Sequence, residues 1–199
     1  MKGIFTRRNL AVFVLGIFSF ASVIYVQIPI QSVIINNPTL KLTLSTRALI
    51  LILAMVAGFV QEIFKALPPF LGEERVLGGI ISGLAFGITE ASFLLLPAIW
   101  QYGIGALPAI SYVERLIAIV FHIATTGLIM YGSKKKRFLI SYIVISLIHG
   151  FVDTTFAGLT QSNMFSVMGV ELAAGLVSVI LLGLFVYLIK KDKTQVQLS

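Results

Sequence analysis

Apolar residues run through this chain in six long stretches, which short polar or proline-containing segments separate. A membrane-spanning helix needs about 20 mostly apolar residues, and each stretch is long enough. Unpaired backbone groups cannot face lipid, so such a segment has to be helical. The pattern therefore predicts an all-α bundle of six transmembrane helices within a single domain, 1–199. The predicted helices cover about 10–35, 47–67, 76–99, 109–131, 138–158 and 165–189.

The composition leaves a membrane protein as the class that fits. Apolar residues make up 58% of the chain and charged residues only 12%, whereas about 25% of a soluble domain is charged. These values exclude a soluble globular enzyme, a disordered chain and a secreted disulfide scaffold. The chain has no cysteine, which excludes a thiolate nucleophile and a cysteine-based zinc site. We therefore expect a multi-pass protein of the cell membrane.

The basic residues predict how the chain is oriented. The net charge is +7, and short basic clusters lie between the apolar stretches, as expected for topology determinants and lipid-headgroup contacts. On one predicted side lie only Lys41 and Arg47. The other side carries Lys2, Arg7, Arg8, Arg75, Lys134, Lys135, Lys136, Arg137, Lys190, Lys191 and Lys193. This asymmetry predicts cytoplasmic N and C termini, with membrane lipids as partners and no nucleic acid.

Ionisable side chains inside the predicted helices are the candidates for chemistry, because hydrocarbon penalises them. They are Glu62, Lys65, Glu90, Glu114, Arg115, His122, His149, Asp153 and Glu171, of which Glu114 and Glu171 lie near helix starts and are expected to be structural. The spacing of Glu62 and Lys65 places them on one helical face, either as an ion pair whose lysine reaches toward the headgroups or as a carboxylate oriented for proton transfer. His149 and Asp153 are one turn apart, so the carboxylate can fix the imidazole tautomer, co-ligate a metal, or only join two helices.

The third predicted helix carries a tandem GxxxG pattern at Gly79, Gly83 and Gly87, which predicts close packing against another helix. Glu90 lies at the edge of that face. A helical rise of about 1.5 Å per residue puts Glu90, His122 and His149 roughly 13–18 Å from the outer surface, near the middle of the bilayer. Asp153 falls about one turn shallower. Glu62 falls about one turn deeper, so it joins the others only if its helix is tilted.

Four sequence blocks resemble the successive motifs of the PrsW-type and YhfC-type intramembrane proteases, which are related to type II CAAX prenyl endopeptidases and bacteriocin-immunity-type membrane proteases. The blocks are QEIFKALPPFL (61–71), GGIISGLAFGITEASFLL (78–95), ERLIAIVFHIATTGLIMYG (114–132) and LIHGFVDTTFA (147–157). The matching residues are Glu62 with Lys65, Phe86 with Glu90, Arg115 with His122, and His149 with Asp153. The resemblance covers about half of the chain.

The chain departs from the family pattern at three positions. Gln61 stands where the pattern has the first acid of an acidic pair, and Ala91 replaces an asparagine that usually follows the second-motif glutamate. Phe86 replaces a histidine of the YhfC-type pattern. Because an acid is lost at Gln61, a non-catalytic relative is an alternative to an enzyme.

The resemblance implies hydrolysis of a peptide bond of a membrane-protein or peptide substrate, in or near the bilayer. On this hypothesis Glu62, with Glu90, activates water, while His122 and His149 bind a metal or polarise the carbonyl. Asp153 orients His149, and Lys65 or Arg115 sets the charge of the carboxylate. Two histidines and a carboxylate such as Glu90 form an acceptable zinc set, and a glutamate mechanism without a metal is equally compatible.

Three other functions fit the same residues. The first is a non-catalytic membrane scaffold or immunity protein that keeps the polar network of the family. The second is a small-molecule carrier, such as the substrate-binding subunit of a vitamin transporter, which has a similar size and helix number. The third is a proton or cation pathway through Glu90, His122 and His149.

Overall fold

The computed structural model describes residues 6–161 and 167–197. Within these residues the chain is all-α, as predicted, and six helical segments are long and apolar enough to cross a membrane. This confirms the prediction of a multi-pass membrane protein. The helices are α1 (Arg7–Ser19), α2 (Ile28–Asn36), α3 (Pro38–Thr43), α4 (Thr46–Ala66), α5 (Arg75–Tyr102), α6 (Ala109–Lys134), α7 (Phe138–Gln161) and α8 (Val167–Gln197).

The first span is not a uniform helix, because α1 and α2 are joined through a π-helical turn at Val23–Gln27. The amide of Ile28 there donates to the carbonyl oxygen of Val23, five residues back. Pro29 follows directly, and a proline lacks the amide that an α-helical hydrogen bond needs. Pro29 therefore lies in the first turn of α2, where a missing amide costs no intrahelical hydrogen bond, and Gln27 is the last residue of the π-helical turn.

The connection after the second span is as predicted, and the connection before it contains an extra helix. The second span ends at its two prolines, because Pro68–Leu71 forms a short 3₁₀ turn after α4. The short helix α3 was not predicted, although Asn37 caps it by accepting a hydrogen bond from the amide of Leu40. For the last span, the predicted start at 165 lies outside the described residues.

Close helix contacts at glycines bring the polar residues together. Helix α5 packs along α6, and α4 packs along α7. A Cβ atom on Gly83 would overlap the carbonyl oxygen of His122, and one on Gly58 would overlap the backbone of α7 at Ser146. The tandem GxxxG face is therefore confirmed as a packing face, and it carries Glu90 toward α6.

We expect Gly83→Ala to destabilise the protein, because the added methyl group has no room between α5 and α6. Overpacking of this kind costs about 1–3 kcal/mol, measured as a loss in the free energy of unfolding in mixed micelles. Gly183→Ala is the matched control, since a Cβ atom there meets nothing within 4 Å and alanine is the better helix former. Equal stability of the two variants would contradict the close contact at Gly83.

Candidate active site

Lys65 is the centre of a buried polar network between α4, α6 and α7. Its side chain is fully buried, and its Nζ lies 2.7 Å from Glu62 Oε1, 2.8 Å from His122 Nδ1 and 3.4 Å from Thr125 Oγ1. An ammonium group has three donor hydrogens, so these acceptors satisfy all of them. Lys65 therefore points into the helix bundle and does not reach toward the headgroups.

The contacts of His122 fix its tautomer. Lys65 can only donate, so Nδ1 of His122 has to be the acceptor and Nε2 carries the hydrogen. Nε2 lies 2.7 Å from Glu90 Oε2 and donates to it. The edges of Phe86 and Phe121 pack against this imidazole and hold its orientation. Both nitrogens of His122 are thus occupied, and a role as a metal ligand would require it to give up one of these bonds.

His149 is held from the opposite direction. Its Nδ1 lies 2.7 Å from Glu62 Oε1, so the same carboxylate oxygen contacts both Lys65 and His149. Its Nε2 lies 3.6 Å from Asp153 Oδ2, which is within ion-pair range and beyond a direct hydrogen bond. Nε2 is therefore the ring nitrogen that a substrate or a water molecule can reach. All six residues assigned to the site from the sequence belong to one connected chain of contacts.

A cavity of about 300 Å³ lies beside this network. Its polar lining residues are Gln61, Glu90, Glu114, Arg115, His122, His149, Asp153 and Ser178. Glu62 and Lys65 are absent from the cavity wall, because they lie behind the two imidazoles with no exposed surface. The structure thus divides the predicted residues into a group that faces the cavity and a pair that supports it.

Three of the polar lining residues, Gln61, Glu114 and Ser178, were not assigned to the site by the sequence. Arg115, which the resemblance placed beside the carboxylate, forms an ion pair with Glu114, and both line the cavity. Ser178 of α8 also lines the wall, with its hydroxyl donating to the carbonyl oxygen of Ala174. The sequence could hardly predict this role, because a single serine in a strongly apolar helix is a weak indication of a site. Its hydroxyl bonds its own helix, as serines in membrane helices often do without any functional role.

The described side chains at the cavity include the donor types that bind zinc, but they are not arranged as a zinc site. Zinc is held by histidine nitrogens and carboxylate oxygens, and both kinds line the cavity. Among residues 6–161 and 167–197, however, no three histidine, aspartate or glutamate side chains lie together in a way that could hold a metal ion. His149 Nε2 and Asp153 Oδ2 lie 3.6 Å apart, and His122 is already bound on both nitrogens.

The comparison with protein families finds one match over residues 105–181, to the family described as YhfC intramembrane metalloprotease. This confirms the resemblance to YhfC-type proteases over α6, α7 and the first part of α8, and it supports an intramembrane protease. The matched part includes His122, His149 and Asp153, whereas Glu62, Lys65 and Glu90 precede it. No curated protein and no solved structure matches the chain.

Proposed function

We propose that this protein is an intramembrane peptidase that hydrolyses a peptide bond at the cavity, with Glu90 as the base. The observation that carries the proposal is the orientation of Glu90 at the cavity wall by His122 and, behind it, by Lys65. An oriented carboxylate next to a space for water is what general-base hydrolysis requires. The description of the matched family supports the same reaction class.

Glu90 uses its two oxygens differently in this mechanism. Oε2 accepts the hydrogen bond from His122 Nε2, which leaves Oε1 to accept a proton from water. The oxygen of that water attacks the peptide carbonyl carbon, and a tetrahedral oxyanion forms. When the C–N bond breaks, Glu90 returns the proton to the departing nitrogen, and the products are a carboxylic acid and an amine.

The oxyanion needs hydrogen-bond donors, and two cavity residues can supply them. Arg115 presents a guanidinium at the wall. In this proposal His149 donates from Nε2, while Glu62 lies at its Nδ1 and Asp153 lies near Nε2. In this proposal Glu62 orients His149 instead of activating water, because it has no access to the cavity.

Lys65 is a positioning residue in the same proposal. Its charge is balanced by Glu62, and its hydrogen bond to Nδ1 forces His122 to present a donor to Glu90. The other tautomer of His122 would present a lone pair to the carboxylate, and the hydrogen bond from Lys65 to Nδ1 disfavours that tautomer. The buried pair therefore controls the direction of the Glu90 side chain without touching the substrate.

In the proposed mechanism Glu90 acts without a metal ion, and chelation tests this. We expect purified protein in proteoliposomes to cleave single-span peptides from a mass-encoded library. The rate of cleavage should change by less than about twofold when EDTA is added. Elemental analysis of the same sample measures bound zinc. One zinc per chain, together with loss of cleavage on chelation and recovery on adding zinc back, would contradict the metal-free assignment.

A non-catalytic scaffold is the second candidate, and Gln61 favours it because the family pattern has an acid there. It predicts that no library peptide is cleaved. The two functions are separated by comparing the wild type with Glu90→Gln, since a scaffold has no cleavage for the substitution to remove.

A further inference from the structure

Three glutamines form a continuous hydrogen-bonded chain from α2 to the cavity. Gln31 Nε2 donates to the carbonyl oxygen of Leu53 at 2.8 Å. Gln27 Nε2 donates to Gln31 Oε1 at 3.4 Å, and Gln61 Nε2 donates to Gln27 Oε1 at 3.0 Å. Gln27 is the last residue of the π-helical turn, so the irregularity of the first span places one member of the chain.

The direction of this chain is fixed by the residue at its far end. A backbone carbonyl can only accept, so Gln31 has to present its NH₂ group to Leu53. Its oxygen then accepts from Gln27, whose own oxygen accepts from Gln61. Turning any one amide around would place two oxygens or two NH₂ groups against each other. The oxygen of Gln61 is therefore the end of the chain, and it is an acceptor.

That terminal oxygen has no hydrogen-bond partner among the described residues. Gln61 is 5% exposed and lines the cavity beside Glu90 and His149. A buried polar atom without a partner is rare in proteins, and beside a cavity its hydrogen bond can be completed by a bound molecule. The fixed amide direction restricts this partner to a hydrogen-bond donor.

We propose that Gln61 Oε1 binds a backbone N–H of the substrate peptide close to the bond that is cleaved, with Gln27 and Gln31 as positioning residues. The inference rests on the proposed peptidase function. A membrane helix has to unwind before one of its peptide bonds can be attacked, and unwinding frees amide groups that lipid cannot satisfy. An acceptor in the cavity wall supplies the missing bond and sets the register of the peptide.

The test compares Gln61→Met, which keeps the length of the side chain and removes the acceptor, with the matched control Gln101→Met at an exposed position on α5. The substrate is a library peptide of about 20 residues, together with copies that are N-methylated at one backbone position each. We expect Gln61→Met to raise KM about fivefold to tenfold and to change kcat by less than about twofold. Gln101→Met should leave both constants unchanged.

Non-additivity identifies the contact. One N-methylated copy should show the same rise in KM with the wild type, and no further rise with Gln61→Met, because both changes remove the same hydrogen bond. Gln27→Met should raise KM in the same direction by a smaller factor. Additive effects at every methylated position, or an unchanged KM in Gln61→Met, would overturn the proposal and leave Gln61 with a purely structural role.

A binding measurement separates failure of this inference from failure of the peptidase function. If the wild type cleaves no peptide, the peptidase proposal fails. The acceptor is then tested with ¹⁵N-glutamine-labelled protein in nanodiscs, titrated with a capped leucine- and alanine-rich peptide of about 20 residues. The peptide should shift the signal of the Gln61 side-chain amide, and one N-methylated copy should abolish that shift. This result supports Gln61 as the acceptor of a peptide N–H, and a signal that does not move overturns that role.

Discussion

Replacing Lys65 with methionine is expected to lower the free energy of unfolding by about 3–5 kcal/mol, because it leaves a charge buried without its partner. Glu62 is fully buried and 2.7 Å from Lys65 Nζ, and its Oε2 has no partner among the described residues. The substitution also takes the donor away from Nδ1 of His122. Unfolding in mixed micelles measures the loss.

Two further variants isolate the charge. Lys41→Met removes an exposed lysine and should change the stability by less than about 0.5 kcal/mol. The double variant Glu62→Gln with Lys65→Met removes both charges, so it should recover a large part of the loss. If Lys65→Met were no less stable than Lys41→Met, the buried ion pair would be refuted.

Replacing Glu90 with glutamine is expected to lower kcat/KM for peptide cleavage by about 10²–10⁴-fold, the range that a general base contributes. The amide keeps the size of the side chain, and its oxygen still accepts the hydrogen bond from His122 Nε2. The stability of the protein should therefore change little, which separates chemistry from packing.

Glu73→Gln is the control for this substitution, because Glu73 is an exposed glutamate in the loop before α5. It should cleave as the wild type does. Full activity in Glu90→Gln, together with a loss in Asp153→Asn, would move the role of the base to Asp153. A loss confined to Glu62→Gln would restore the role that the sequence predicted for that residue.

The sequence predicts the helices well because lipid permits few other structures, and composition alone locates the spans. It also identifies the six ionisable residues of the network, since charged side chains inside a span are conspicuous, and it does not identify Thr125. It does not predict the π-helical turn before Pro29, because no pattern of residue types specifies a π-helical hydrogen bond in place of an α-helical one. The role of Gln27 depends on that turn.

The sequence also could not predict which side chains the acidic residues contact, or which of them face the cavity. Counting residues placed Glu62 about one turn too deep to meet His149, and yet their side chains are 2.7 Å apart. The contact arises because α4 and α7 approach closely at Gly58 and Gly150. Counting the rise along a single helix cannot show where two helices cross. The rotation of α4 then decides that Gln61 faces the cavity and Glu62 does not, although they are neighbours in the chain.

The most direct test of the central claim is cleavage in water enriched in ¹⁸O. In the proposed mechanism Glu90 directs a water molecule onto a peptide bond at the cavity. With wild-type protein in proteoliposomes, mass spectrometry should find library peptides cut within their apolar segment, with one ¹⁸O atom in each new carboxyl group, and Glu90→Gln should yield about 10²–10⁴-fold less of them. Labelled products formed at the same rate by both proteins, or no products from the wild type, would contradict the account.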